Sequence, residues 1–302
     1  MRATVTALMS AAAVLVGSTG CLGPEPFTAA QLYPQPFLAE RRFQTAALDS
    51  GRIDDARIQI LRLLDAQRSA PHLTLAARLE EDPEKALSLL DEAHRADPAF
   101  AWSRYALSFV ILRDAVIDRY EDSAEHLQWL VDRGFGRIAE LPAHPQLLLA
   151  ENYHRLGRFR EETEQLEWLI AAGSTDSVVH YNLAWVLCVK LSEPEEALEH
   201  LDEILNDDPH RLDVLMLKGR ALWDLERFTA AARLFAGLAD RHPNALLNLA
   251  LLFDQHLDDK MRALQYYELY DAYDSENADE KGWTDRHFLV KKRIEELEKG
   301  SR

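Results

Sequence analysis

The chain has 302 residues, of which 47% are hydrophobic and 28% are charged, a balance typical of a folded protein with a sizeable core. Acidic residues outnumber basic ones 51 to 34, and the resulting net charge of −17 repels phosphate backbones and anionic headgroups. This charge argues against nucleic-acid binding and against a polybasic membrane contact. The two cysteines, Cys21 and Cys188, cannot form a disulfide framework.

The first twenty residues have the pattern of a signal peptide. Arg2 precedes an apolar run from Ala7 to Val16, which is too short for a membrane-spanning helix of ~20 residues. Small residues then lead into Cys21. The segment resembles the lipobox of bacterial lipoproteins, in which the cysteine is acylated and the chain is cleaved before it. Gly20 fits that pattern, whereas Ser18 stands where leucine is usual.

The resemblance implies a signal peptide over 1–20, a lipid on Cys21 and a place in the bacterial cell envelope. The alternative is an ordinary secretory signal followed by an incidental cysteine. Four prolines between residues 24 and 36 predict a semi-stiff tether over 21–39. No aspartate follows Cys21, which favours the outer membrane, facing the periplasm, in a host that sorts as enteric bacteria do.

From residue 40 onward, apolar residues recur every three or four positions, which is the helical period. The clearest repeat starts near residue 211 and has its small and large apolar residues at fixed offsets from Gly219: Leu222, Ala231, Phe235, Leu238 and Pro243. The preceding repeat has the same pattern at Ala184, Leu187, Ala197, Leu201, Ile204 and Pro209, with one extra residue in its turn near "LSEPEE". Small residues predict the contact between two antiparallel helices, and proline predicts the end of the second helix.

These offsets, and the 34 residues from Pro209 to Pro243, resemble the tetratricopeptide repeat (TPR). Weaker copies lie on both sides, including one in which Glu162 occupies the usual small position and one with Ala106 there. The resemblance implies an all-α fold, a right-handed superhelical solenoid of about seven TPR-like helix-turn-helix repeats over 40–273. A polar-faced capping helix is expected over 274–302.

No sequence motif indicates catalysis. The chain lacks a glycine-rich phosphate loop, a GxSxG elbow and an HExxH pair, and its histidines lack metal-ligand spacing. Cys188 lies in an apolar helix and is predicted to be a buried, inert thiol. We therefore expect no enzymatic activity, no cofactor and no metal site.

In the TPR family the first helix of each repeat lines a concave groove, with three positions per helix pointing into it. Here that set is Glu151, His154, Tyr181, Trp185, Cys188, Met216, Arg220, Trp223, Leu251 and Asp254. Its aromatic, Met and Arg side chains are typical of binding hot spots, whereas the alternative is that the two tryptophans pack between repeats. The paired Lys and Asn by which some members bind a C-terminal carboxylate are missing. The expected ligand is a peptide with apolar side chains, with or without basic ones, and not an acidic tail.

Together these patterns predict a membrane-anchored, non-catalytic scaffold or assembly factor for another protein of the bacterial envelope. Two alternatives stay open. The chain could be a soluble periplasmic adaptor in which Cys21 is not acylated. It could also be the recognition subunit of an envelope-biosynthesis complex whose catalysis resides in a partner.

Overall fold

The structure is a computed structural model that describes residues 26–32, 34–137, 141–276 and 285–300. The predicted signal peptide over 1–20 and Cys21 lie outside the described residues, so both stay predictions. None of the described helices combines the length and apolar composition that crossing a membrane requires.

All regular secondary structure in the described ranges is helical. In chain order the α-helices are α1 (Ala29–Leu32), α2 (Gln35–Asp49), α3 (Ile53–Ala66), α4 (Ala70–Arg78), α5 (Pro83–Ala96), α6 (Ala101–Arg113), α7 (Tyr120–Asp132), α8 (Pro145–Arg155), α9 (Phe159–Ala171), α10 (Ser177–Val186), α11 (Pro194–Asp207), α12 (Leu212–Asp224), α13 (Phe228–Ala236), α14 (Pro243–Gln255), α15 (Lys260–Glu276) and α16 (Asp285–Gly300). Short 3₁₀ turns lie at Ile117–Arg119 and Phe135–Arg137, and a π-helical turn lies at Leu187–Leu191.

The chain divides into two compact units, Met1–Pro145 and Gln146–Arg302. In the first unit α2 packs on α3, α4 on α5, and α6 on α7. In the second unit the pairs are α10 with α11, α12 with α13, and α14 with α15. Successive pairs also contact one another within each unit, for example through α5 with α6 and α11 with α12. The predicted all-α, helix-turn-helix repeat architecture is thereby confirmed.

The α12–α13 pair shows why the repeat needs a small residue. A Cβ built on Gly219 would overlap Cε1 and Cζ of the Phe235 ring and would lie 3.1 Å from its Cδ1. Phe235 and Ala231 are both fully buried. The two helices therefore approach each other at Gly219 as the sequence predicts, and the Phe235 ring fills the space that a larger residue would need.

The extra residue near "LSEPEE" is accommodated by the π-helical turn that follows α10. The N–H of Glu193 donates to the carbonyl of Leu187 at 2.8 Å, and Ser192 takes the left-handed conformation with φ 59°. A π turn adds one residue to a helix without moving its neighbours along the axis, so the following α11 keeps its place in the repeat. Cys188 lies inside this turn.

The tether predicted over 21–39 is wrong for its described part. α1 and the beginning of α2 lie there, with Phe37 and Leu38 at most 4% exposed. The Phe27 ring contacts Trp129 with 5.2 Å between centroids, and the Leu32 carbonyl accepts a hydrogen bond from Trp102 at 3.3 Å. Apolar residues between the prolines pack onto the first unit, and of these prolines Pro36 lies in the first turn of α2, where proline is tolerated.

The predicted C-terminal helix is α16, but its outer face is not wholly polar. Val290 and Leu297 are buried against the last repeat, as a cap requires. However, Phe288 and Leu289 are 59% and 68% exposed. The segment "DRHFLVKKRIEELEKG" has three consecutive apolar residues, Phe288 to Val290. Consecutive helical residues point about 100° apart, so the one buried face takes Val290 and leaves Phe288 and Leu289 outside it.

Candidate binding groove

A cavity of about 810 Å³ lies in the second unit. Its walls come mainly from α10, α12 and α14, which are the first helices of three successive pairs, with Phe235 of α13 and Arg286 at the start of α16. Six of the side chains predicted to face a groove line it: Tyr181, Trp185, Met216, Arg220, Trp223 and Leu251. The predicted spacing therefore brings these residues together on one surface.

A smaller cavity of about 230 Å³ adjoins the first, because Tyr181 and Trp185 line both. Glu151 and His154 of α8 line this smaller cavity, together with Glu162 and Asn182. We call the surface of both cavities the groove. Eight of the ten predicted groove residues lie on it, and Cys188 and Asp254 do not.

Both groove tryptophans are half-buried, and each serves packing and the groove at once. Trp185 packs against the core of the second unit, and its ring lies 5.4 Å from that of His154 and 5.3 Å from the Lys190 ammonium. Trp223 packs against the neighbouring core cluster and meets His256 edge to face at 5.3 Å. Each tryptophan ring thus packs against the core on one side and lines the groove on the other, so both predicted alternatives apply to it.

The polar side chains of the groove differ in how far they are already paired. Arg220 donates to Asp224 at 2.8 Å, and Arg211 donates to Asp213 at 3.0 Å. By contrast, the side-chain amides of three asparagines make no hydrogen bond within the described ranges: Asn182, Asn244 and Asn248. Each amide offers donors and an acceptor toward the groove, so these groups are available to a ligand.

Glu162 is the most unusual groove residue, because it is 4% exposed at a position where the repeat normally has a small side chain. Its Oε2 lies 3.0 Å from Nδ1 of His154. Burial raises the pKa of the Glu162 carboxyl to about 7, and the nearby imidazole of His154 opposes that rise. The sequence marks this position as irregular but does not show that the carboxyl faces a cavity.

Asp254 lies apart from the groove because α16 covers it. Its carboxylate is 4% exposed and accepts from Arg293 at 2.7 and 2.8 Å and from the Tyr267 hydroxyl at 3.2 Å. Lys260 lies 3.0 Å from the same carboxylate. Hydrogen bonds from Arg293 are the main cause that lowers the pKa of Asp254 to about 2. The predicted groove residue therefore anchors the C-terminal helix.

Cys188 is buried, as predicted, and does not present a thiolate. Burial, reinforced by Asp224, raises the pKa of its thiol to about 11, and Sγ lies 3.8 Å from Oδ2 of that aspartate. Across the described ranges, no three His, Cys, Asp or Glu side chains are grouped so that they could hold a metal ion.

Several residues that line the groove were not expected from the sequence. Asn182, Asn244, Asn248, Asp213 and Arg286 are the clearest examples. Four of them are on the first helices: Asn182 is one position from a predicted groove residue, Asp213 and Asn248 are one turn from one, and Asn244 is two turns away, so a broader and longer stripe on each helix would have included them. Arg286 reaches the groove only because α16 packs behind the last repeat, which no local pattern could indicate.

Comparison with known proteins places the fold. Residues 189–252 match the family model described as tetratricopeptide repeat. The C-terminal part of a TPR repeat-containing protein from Cytophaga hutchinsonii has a TM-score of 0.62 at 13% identity, covering 82% of this chain and 98% of that chain. A comparison with curated proteins finds no match.

Two further structures are less similar. MamA from Desulfovibrio magneticus RS-1 has a TM-score of 0.48 at 15% identity and covers 59% of this chain and 98% of that chain. YrrB, a TPR protein with an unusual peptide-binding site, has a TM-score of 0.39 at 17% identity and covers 72% and 93%. From the Cytophaga structure, the chain has the fold of tetratricopeptide-repeat proteins, and residues 189–252 match the family model of that repeat.

Proposed function

We propose that the chain is a non-catalytic interaction scaffold and that the groove binds a peptide segment of a partner protein. One observation carries this proposal: half-buried aromatic and apolar side chains from the first helices of three successive pairs face one open cavity of about 810 Å³. Cavities of roughly 300–1,000 Å³ with an apolar lining and a few polar groups are the usual form of a binding site.

The chemistry of the groove favours an extended peptide with apolar side chains. The free amides of Asn244 and Asn248 can each donate to a peptide carbonyl and accept from a peptide N–H. Tyr181, Trp223 and Leu251 offer apolar surface beside them. Charges of both signs line the cavity, and the overall charge of −17 disfavours an acidic segment.

The test is a peptide selection followed by measured affinities. Twelve-residue peptides are selected on the wild-type chain, and the dissociation constant of the tightest is measured by fluorescence anisotropy. Trp223→Ala is expected to weaken binding about 30-fold or more, the loss typical of an interface hot spot. Trp168→Ala is the matched control, since Trp168 lies on α9, is 50% exposed and lines neither cavity.

Equal affinity for the Trp223→Ala and wild-type chains, with unchanged far-UV circular dichroism, would refute the groove as the binding surface. Loss in both tryptophan variants would indicate non-specific adhesion of the peptides. Selection of predominantly acidic peptides would contradict the proposed ligand chemistry.

The membrane anchor and the envelope role rest on the N-terminal sequence alone. We propose that Cys21 is acylated and tethers the chain to the bacterial outer membrane, where it acts as a scaffold or assembly factor. Mass spectrometry of the mature N-terminal peptide from cells is the test. An added mass of two or three acyl chains that disappears in Cys21→Ser supports the anchor. A cleaved, unmodified peptide would favour the soluble periplasmic adaptor.

The recognition-subunit alternative makes a different prediction. If the chain is a recognition subunit, the complex captured from cells would have an envelope-biosynthesis activity that the isolated chain lacks. Identification of a non-enzymatic envelope protein as the groove's partner would instead favour the scaffold.

A further inference from the structure

The first unit contains a cavity of about 130 Å³ that is separate from the groove. Most of its lining comes from α2, α4 and α6, and much of that lining is aromatic: Phe37, Trp102, Tyr105 and Phe109. The fully buried Leu90 and Leu75 contribute aliphatic surface. An apolar cavity of ~150 Å³ holds a benzene molecule, so this one has room for a phenyl or isobutyl group.

Three arginines stand at the edge of this apolar space, and no aspartate or glutamate is among its described lining residues. Arg113 is already paired with Asp114, at 2.9 and 2.6 Å. Arg41 lies over the Trp102 ring, 5.0 Å from its centroid. A cationic edge on an apolar cavity is unexpected in a chain with a net charge of −17.

Arg78 has no hydrogen bond or ion pair to a carboxylate within the described ranges, and Asp49 acts on its charge only from beyond salt-bridge distance. Arg78 donates to the backbone carbonyl of Arg41 at 3.0 Å and to the Thr45 hydroxyl at 2.8 Å, and both acceptors are neutral. These two bonds fix the guanidinium at the cavity edge while other N–H groups stay available. A guanidinium held in this way pairs well with a planar carboxylate.

We propose that this cavity binds a small carboxylic acid with a compact apolar body, such as a phenylalkanoate or a branched-chain acid. The apolar body occupies the space between the aromatic rings, and the carboxylate pairs with Arg78. The site is independent of the groove, since every lining residue belongs to the first unit. The acid could be free or could be the last residue of a peptide, and the two sources share this chemistry.

The test uses three probes and ligand-observed NMR titration on the full chain. 3-Phenylpropanoate is expected to bind saturably below about 1 mM, an affinity within reach of a ligand of this size. Its neutral isostere 3-phenylpropanamide is expected to bind at least tenfold more weakly, because it lacks the charge that Arg78 would pair. N-acetylphenylalanine distinguishes the sources: tighter binding than 3-phenylpropanoate indicates a chain terminus, and weaker binding indicates a free acid.

Two variants and one control locate the site. Arg78→Met removes the cation and is expected to weaken 3-phenylpropanoate binding at least tenfold. Ala106→Leu places an isobutyl group in the cavity and is expected to abolish binding. Arg62→Met is the matched control, because Arg62 is exposed on α3 and lines no part of the cavity.

Three results would overturn the proposal: no saturable binding of 3-phenylpropanoate, equal binding of the acid and its amide, or equal loss in Arg62→Met and Arg78→Met. If Ala106→Leu proves unfolded by circular dichroism, the acid–amide comparison and the arginine pair still decide the outcome.

Discussion

Replacing Gly219 with alanine tests the closest helix contact in the second unit. Gly219 lies inside α12, and a methyl group there would overlap two carbons of the Phe235 ring. Phe235 is 0% exposed and packed in the core, although one edge of its ring borders the groove cavity. Either the ring leaves its preferred rotamer or α12 and α13 separate.

Two effects of opposite sign determine the free energy change. Alanine is about 1 kcal/mol more favourable than glycine inside a helix. Overpacking of a filled core costs about 1–3 kcal/mol, and overlap with two ring carbons of an enclosed side chain belongs in the upper part of that range. We therefore expect Gly219→Ala to lower the free energy of unfolding by about 1–2 kcal/mol.

Urea denaturation followed by tryptophan fluorescence and circular dichroism measures this change. Gly237→Ala is the control, because its backbone is α-helical with φ −69° and the added Cβ would lie 3.4 Å from its nearest neighbour, the Leu234 carbonyl oxygen. That variant should change stability by no more than about 0.5 kcal/mol. The double variant Gly219→Ala with Phe235→Leu should recover part of the loss, with a coupling of about 1 kcal/mol or more.

An increase in stability for Gly219→Ala of about 1 kcal/mol would refute this reasoning, because it would mean that helix propensity acts alone and that the helices are not in close contact at this point.

Three further changes test the charges and the turns of the second unit. Asp254→Ala removes the buried carboxylate that accepts from Arg293 and Tyr267, while Arg293 keeps Glu296, and should destabilise by about 1–3 kcal/mol; the wild-type contribution is complete above the ordinary pKa of 3.8 and is lost as the pH falls toward the folded pKa of about 2. Glu162→Gln should be about 1–3 kcal/mol more stable than the wild type at pH 8. The reason is that the raised pKa of Glu162 makes the free energy of unfolding of the wild-type protein fall as the pH rises from 4.5 through about 7, whereas glutamine does not titrate. Glu226→Gly should stabilise by about 0.5 kcal/mol, because Glu226 has φ 57° and glycine adopts that conformation without strain.

Each of these changes has a measurement that can contradict it. If the Asp254→Ala variant loses stability between pH 4 and 2 as steeply as the wild type does, another carboxyl dominates the acid dependence of stability. A Glu162→Gln variant that is less stable than the wild type at pH 8 would show that His154 compensates the burial of the carboxylate fully. Glu226→Ala, which keeps the strained backbone, should show no gain, and an equal gain in both Glu226 variants would exclude relief of strain.

The helix contacts could be predicted from sequence because they recur at fixed spacing. The offsets of Ala231 and Phe235 from Gly219 repeat in neighbouring segments, and only a small residue allows two helices to approach so closely. The π turn at Leu187–Leu191 could be noticed only as one extra residue. Whether a chain places such a residue in the loop or within the helix depends on packing, which the spacing alone does not specify.

Candidate groove residues were predictable where a single helix decides which way they point. Tyr181 and Trp223 take their direction from the periods of α10 and α12, and both line the same cavity. Asp254 has the equivalent position on α14 but is paired with Arg293, which is 39 residues further along the chain. A contact over that distance arises from the docking of α16, and no local periodicity contains it.

The two cavities differ because they use different faces of the first helices. Counted from the small residue of each repeat, the groove residues Met216 and Trp223 lie three before and four after Gly219. In α6 the rings of Trp102 and Phe109 lie four before and three after Ala106, on the side that contacts neighbouring helices. There the Trp102 ring contacts the Phe37 ring, with 5.2 Å between centroids, and the cavity lies beside these rings.

That difference decides what each cavity can hold. A small ligand that fills the space of about 130 Å³ buries its apolar body against the aromatic rings and needs only one charged group at the edge, which Arg78 supplies. The groove is open along three helices, so a short acid would cover little of it, whereas a peptide chain could contact Trp223 and Tyr181 together. We therefore expect ligands of different size for the two units, a compact acid in the first and a chain segment in the second.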